Sequence, residues 1–188
     1  VQIKASVSEK SIKDKLAALR ILHKRMGNKR VMVVYLHKDE NALPRKNGAV
    51  QTTLGAIRDE FNTKGFRVFN ENVMEQVYQV IEQAAIVDRP AENLIALALD
   101  QHAEVLVQFE MIAGKRGTTG GMFYATKATI RLGVYDASTG RQIADVTTEG
   151  KELSSYAPGP YDWYELLGKV GQRAGKEAAF EAVDKITQ

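Results

Sequence analysis

Gly114 to Gly121 reads GKRGTTGG, and glycines beside a lysine are the composition of a phosphate cradle. Such a cradle needs backbone N–H groups at the start of a helix, with the lysine poised beside them. Here the glycines fall between two strand-like runs and the GxxxxGK[ST] order is absent, so the segment reads as a flexible hairpin connection. Lys115 and Arg116 remain as an exposed contact point. His23, His37 and His102 are far apart and fit no metal-ligand spacing. Asp39 with Glu40, and Asp59 with Glu60, form acidic pairs, but they lack the partners of an acid–base dyad or a magnesium site and read as solvated surface. Asp136 reads as a turn residue. No nucleophile with an adjacent base can be assembled by spacing, so the chain reads as a non-enzyme with no metal and no cofactor. The remaining concentration of chemistry is aromatic: Tyr156, Tyr161, Trp163 and Tyr164 crowd around Pro158-Gly159-Pro160. Such side chains either staple a loop and helix onto a sheet or contact a partner, since aromatics are enriched at interface hot spots. Together with Lys115 and Arg116 they are the candidate partner-binding residues.

The elements that position these residues follow from periodicity. Val31 to Leu36 is continuously apolar, as a central strand covered on both faces would be. A polar loop from 37 to 48 follows it, at the edge of an α/β sheet that ligands favour. A helix over Val50 to Lys64 buries Leu54, Ile57 and Phe61 and stops at Gly65. Phe66 to Phe69 makes a second strand. Helical spacing returns from Asn72 to Ala85, breaks at Asp88-Arg89-Pro90, and resumes from Ala91 to His102. Ala103 to Met111 is a third strand. Tyr124 to Tyr135 alternates, with Thr126, Ala128, Ile130, Leu132 and Val134 on the more apolar side. A turn at 136–140 leads to a last strand, Arg141 to Lys151, polar enough for a protected edge. A helix from Trp163 to Ile186 closes the chain. Ahead of all this, Ser11 caps a helix from Ile12 to Met26. The predicted architecture is a three-layer α/β sandwich with a mixed five-stranded sheet in the order 2-1-3-4-5, plus that extra N-terminal helix. Residues 1–28 are an appendage and 29–188 the domain.

Composition narrows the function classes. Lys and Arg number 26 against 23 Asp and Glu, a net charge of +3 with the signs interspersed, so nucleic-acid binding is not expected. The absence of cysteine excludes disulfides, thiol nucleophiles and thiolate metal sites within this sequence. The longest apolar runs are far shorter than the ~20 residues of a membrane span. The chain opens on Val1 rather than Met, which is compatible with removal of a signal peptide or lipid-anchoring segment.

The succession VMVVYL, helix, GFRVFN, helix, DQHAEVLVQFEM, then TIRLGVYDASTGRQIADVTTEGKE resembles the TolB amino-terminal-like domain. Similar domains occur in the curli secretion channel subunit, the lipoprotein activator of penicillin-binding proteins and the middle domain of flagellar assembly protein T. The resemblance covers roughly Lys29 to Gln188, and this chain departs from it in its first helix and in the long helical stretch through the 70s and 80s. It implies a non-catalytic binding and assembly module of the bacterial cell envelope, periplasmic or outer-membrane-associated. Its partners would be envelope proteins, the membrane would be reached only through an anchor or partner, and oligomers are possible. A small-molecule- or nucleotide-binding regulator, using the loops at Asp39 to Gly48 and Gly114 to Gly121, is the alternative.

Overall fold

The computed structural model describes residues 29–83, 90–114, 117–119, 123–155 and 157–187. The predicted helix at Ile12 to Met26 lies outside the described residues. Strand β1 (Arg30–Tyr35) pairs in parallel with β2 (Arg67–Val68) on one side and β3 (Val105–Ala113) on the other. Strand β5 (Phe123–Asp136) runs antiparallel to β3, and β6 (Gln142–Ser154) runs antiparallel to β5. The five long-range strands therefore stand in the predicted order.

The glycine-rich connection is the correction. Gly117–Thr119 forms a short strand, β4, antiparallel to Phe123–Ala125 of β5. It continues the β3 pairing along the same side of β5, with the register advanced by one residue. Two threonines favour the pleat, and the pairing partner lies only a hairpin away. The last strand also runs three residues beyond its expected end, to Ser154. The second strand shrinks to two residues.

Helix α1 (Gly48–Thr63) is capped by Asn47, whose side chain accepts from Ala49 N at 2.9 Å. Its buried stripe is Val50, Thr53, Leu54, Ile57 and Phe61, and it ends at Gly65, which takes a left-handed φ of 89°. Helices α2 (Glu71–Gln83) and α3 (Pro90–Asp100) carry the chain back from β2 to β3, and α4 (Pro160–Thr187) closes it. α1 and α4 pack together over the sheet. Right-handed crossovers put the return through α2 and α3 on the opposite face. β1 is accordingly buried from Val31 to Tyr35. Among the described residues the antiparallel half is covered on one side only. Ala128, Ile130, Leu132, Val134, Ala144 and Val146 are buried, whereas Arg131, Asp145, Thr147, Glu149 and Lys151 are exposed.

Candidate partner-binding surfaces

The aromatic group divides at the start of α4. Trp163 packs, half-buried, against the core, and its backbone N–H donates to Gly159 O at 2.9 Å. Tyr164 sets its ring edge-on to Trp163, with centroids 4.9 Å apart, and is 44% exposed. Consecutive helical residues point about 100° apart, so one neighbour staples while the other faces solvent. Tyr164, Glu165, Gly168 and Lys169 form one wall of an open groove of about 520 Å³, and Asn47, Gly48, Ala49 and Thr52 form the other. The groove exists because Gly168 brings α4 close to Ala49 at the N-terminus of α1. Glu165 and Lys169 pair at 2.7 Å, one helical turn apart. Their hydrogen bond lowers the Glu165 pKa and raises that of Lys169. Tyr161 is a first-turn residue of α4. Its side chain, together with Tyr156, Lys115 and Arg116, lies outside the described residues.

A second surface lies at the carboxyl end of β1, beside the middle of β3. A cleft of about 250 Å³ is lined by Leu36, Lys38, Gln108, Glu110, Arg131 and Tyr135, among others. Glu110 Oε1 accepts from Lys38 N at 2.8 Å and Asp39 N at 2.7 Å, while Oε2 stands 3.6 Å from Arg131. Arg131 also stands 3.7 Å from Asp39. Bonds from the Asn41 backbone and side chain, with Arg131 contributing, hold the Asp39 carboxyl below its ordinary range. Gln108 Oε1 accepts from Lys38 Nζ at 3.3 Å. Deeper in, the Tyr35 hydroxyl donates to Leu43 O, and burial pushes its pKa up. Tyr35 N donates to Tyr78 Oη at 2.7 Å. Arg45 stacks 4.0 Å from the Tyr78 ring centre and pairs with Glu75 at 2.9 Å.

The loop after β1 is thus tied to β3, β5 and α2 by its charged groups. Asp39 belongs to this network rather than to a free acidic surface pair. Glu110, absent from the sequence candidates, holds it together. The available signal was an acid inside an apolar strand, where burial demands partners. Asp136 is a turn residue, as expected: its Oδ1 accepts from Ser138 N at 2.9 Å, Ser138 Oγ at 2.5 Å and Thr139 N at 3.0 Å. His102 adopts a left-handed φ of 58° and caps α3 through its N–H to Leu99 O at 2.8 Å. Among the described residues, no group of three or more His, Cys, Asp or Glu could hold a metal. No helix of the described residues is long and apolar enough to cross a membrane.

No protein-family model and no curated protein matches the chain. Solved structures do. The hypothetical protein CT253 from Chlamydia trachomatis superposes with a TM-score of 0.51 at 14% identity, over 84% of this chain and 97% of that one. Lipoprotein GNA1162 from Neisseria meningitidis gives 0.48 at 14% identity, over 83% and 98%. A minor lipoprotein from Acinetobacter baumannii gives 0.46 at 8% identity, over 86% and 94%. At these identities the likeness to CT253 is one of fold.

Proposed function

We propose that this chain is a non-catalytic protein-binding and assembly module of the bacterial cell envelope, of the TolB amino-terminal-like kind, periplasmic or outer-membrane-associated. The envelope setting rests on the sequence resemblance. The binding role rests on one observation: the Tyr164 ring stands 44% exposed as the wall of an open groove. An aromatic held in place by a packed neighbour loses little entropy on contact, which is how interface anchors work.

The test separates the two aromatics. Tyr164→Ala is expected to reduce capture of the envelope partner while leaving the melting temperature within about 2 °C of wild type, as for a surface substitution. Trp163→Ala is expected to lower the melting temperature as well, because its ring packs on the core. Undiminished capture by Tyr164→Ala would refute the groove as the contact.

The second reading, a small-molecule-binding regulator, draws on the cleft beside Gln108. The Gln108 side-chain nitrogen is buried and has no hydrogen-bond partner among the described residues. Thermal stabilisation by nucleotides, sugars or peptidoglycan fragments would favour this reading, and a flat response would count against it.

A further inference from the structure

We propose that β6 is a self-association edge, and that two copies of this chain pair their β6 strands antiparallel about Gly150 to join their sheets. This goes beyond the partner reading above and does not depend on it.

Backbone orientation sets the edge. Leu36 N donates to Phe109 O, Leu43 N to Met111 O, and Ala113 N donates to Asn41 O. The odd residues of β3 therefore turn their backbone groups toward β1, and the even ones turn theirs toward β5. Alternation carried across the registers Glu110↔Arg131 and Ile130↔Thr148 turns the even residues of β6 toward β5. Asp145, Thr147, Glu149, Lys151 and Leu153 are left with backbone groups facing outward. The contact of Lys185 Nζ with Asp145 O at 3.3 Å shows the same orientation and occupies that carbonyl. Among the described residues nothing pairs with the outward groups of Thr147, Glu149, Lys151 and Leu153. Charged residues protect such an edge unless the incoming strand carries complementary charges, and Leu153 lies on it 51% exposed.

The free stretch is self-complementary. Outward residues can pair only with outward residues. A two-fold centred on position 149 sets Glu149 against its own copy, and one centred on 151 sets Lys151 against its own. A centre at 148 requires Asp145, whose carbonyl Lys185 holds. A centre at Gly150 sets Glu149 against Lys151 twice and Thr147 against Leu153 twice, without touching Asp145. The helices allow it. α4 lies over β5 and β6 alike, so strands ~4.8 Å apart place the two α4 axes ~10 Å apart. That is the packing distance of neighbouring helices.

The test is a sedimentation concentration series on the full chain. Wild type is expected to dimerise. Glu149→Lys and Lys151→Glu, each creating two like-charge pairs, are expected to raise the dissociation constant by about tenfold or more. The double reversal is expected to bring it back toward wild type. The chain has no cysteine, so Thr147→Cys with Leu153→Cys reads the register directly. Directly opposed residues lie about 5.5 Å apart, within disulfide reach, and oxidation is expected to give a covalent dimer. Within one copy the two positions are six residues apart along a strand, too far to bridge. Unchanged circular-dichroism spectra of the charge variants confirm that folding is intact. A wild type monomeric at every accessible concentration with no covalent dimer, or a dimer indifferent to the single reversals, would overturn the proposal.

Discussion

Gly171→Ala is expected to destabilise the protein although alanine is the better helix former. Helix α4, which carries the aromatic wall, crosses α1 at Gly171 and Gly175. A Cβ at Gly171 would collide with Thr53 Oγ1 and stand 2.7 Å from Met111 Cε. Met111 has the flexibility to shift, but Thr53 does not. Thr53 is fully buried and donates to Ala49 O at 2.8 Å, so turning it aside leaves a buried hydroxyl unpaired. Overpacking costs ~1–3 kcal/mol, the lost hydrogen bond ~1 kcal/mol, and alanine returns ~1 kcal/mol of helix propensity. The net loss is ~1–3 kcal/mol, and at ~2–4 °C per kcal/mol for a chain of this size the melting temperature should fall by ~2–12 °C. Gly55 is the control, because a Cβ there meets nothing within 4 Å. Gly55→Ala should gain ~1 kcal/mol and melt ~2–4 °C higher. Circular-dichroism melts of both variants beside wild type decide the matter. Gly171→Ala melting above wild type, as Gly55→Ala should, would refute the close approach of α4 to α1 and the groove built on it.

Other outcomes follow from the turns. Bonds from the Ser138 hydroxyl, then from backbone N–H groups, hold the Asp136 carboxyl below its ordinary 3.8. A carboxyl with a depressed folded pKa stabilises above its unfolded pKa, and that stability is lost as pH falls through the folded value. Melts taken from pH 6 down to pH 3 should show Asp136→Ala losing less stability with acid than wild type; parallel curves would contradict it. Gly140 sits at φ 70° between β5 and β6, so Gly140→Ala should cost ~1 kcal/mol. His102→Gly should leave denaturant stability equal or higher, since His102 already holds the left-handed conformation that glycine adopts freely. A large loss there would point to a role for the imidazole beyond capping.

Much of the scaffold was legible because it is written in local patterns. The unbroken run Val31 to Leu36 announced a strand covered on both faces, and the apolar alternation from Thr126 to Val134 announced one covered on a single face. Glycine misled at Gly117–Thr119, where flexibility in isolation gives way to pairing with Phe123–Ala125. The site was less legible, because its contacts are distant in sequence. Glu110 meets Lys38 and Asp39 across 72 and 71 residues, and no window of sequence contains both. Trp163 and Tyr164 look equivalent in a list of aromatics. Only the packing of α4 shows that one is a staple and the other a wall. The β6 edge was visible as a polar strand, but its free stretch and centre emerge only when the hydrogen-bond phase is carried across the sheet.

The measurement that tests the envelope-assembly account most directly is in-cell cross-linking of the tagged full-length protein, followed by fractionation and identification of what is captured. Recovery with envelope proteins, diminished by Tyr164→Ala, is the predicted result. Recovery as a lone soluble cytoplasmic protein would contradict it.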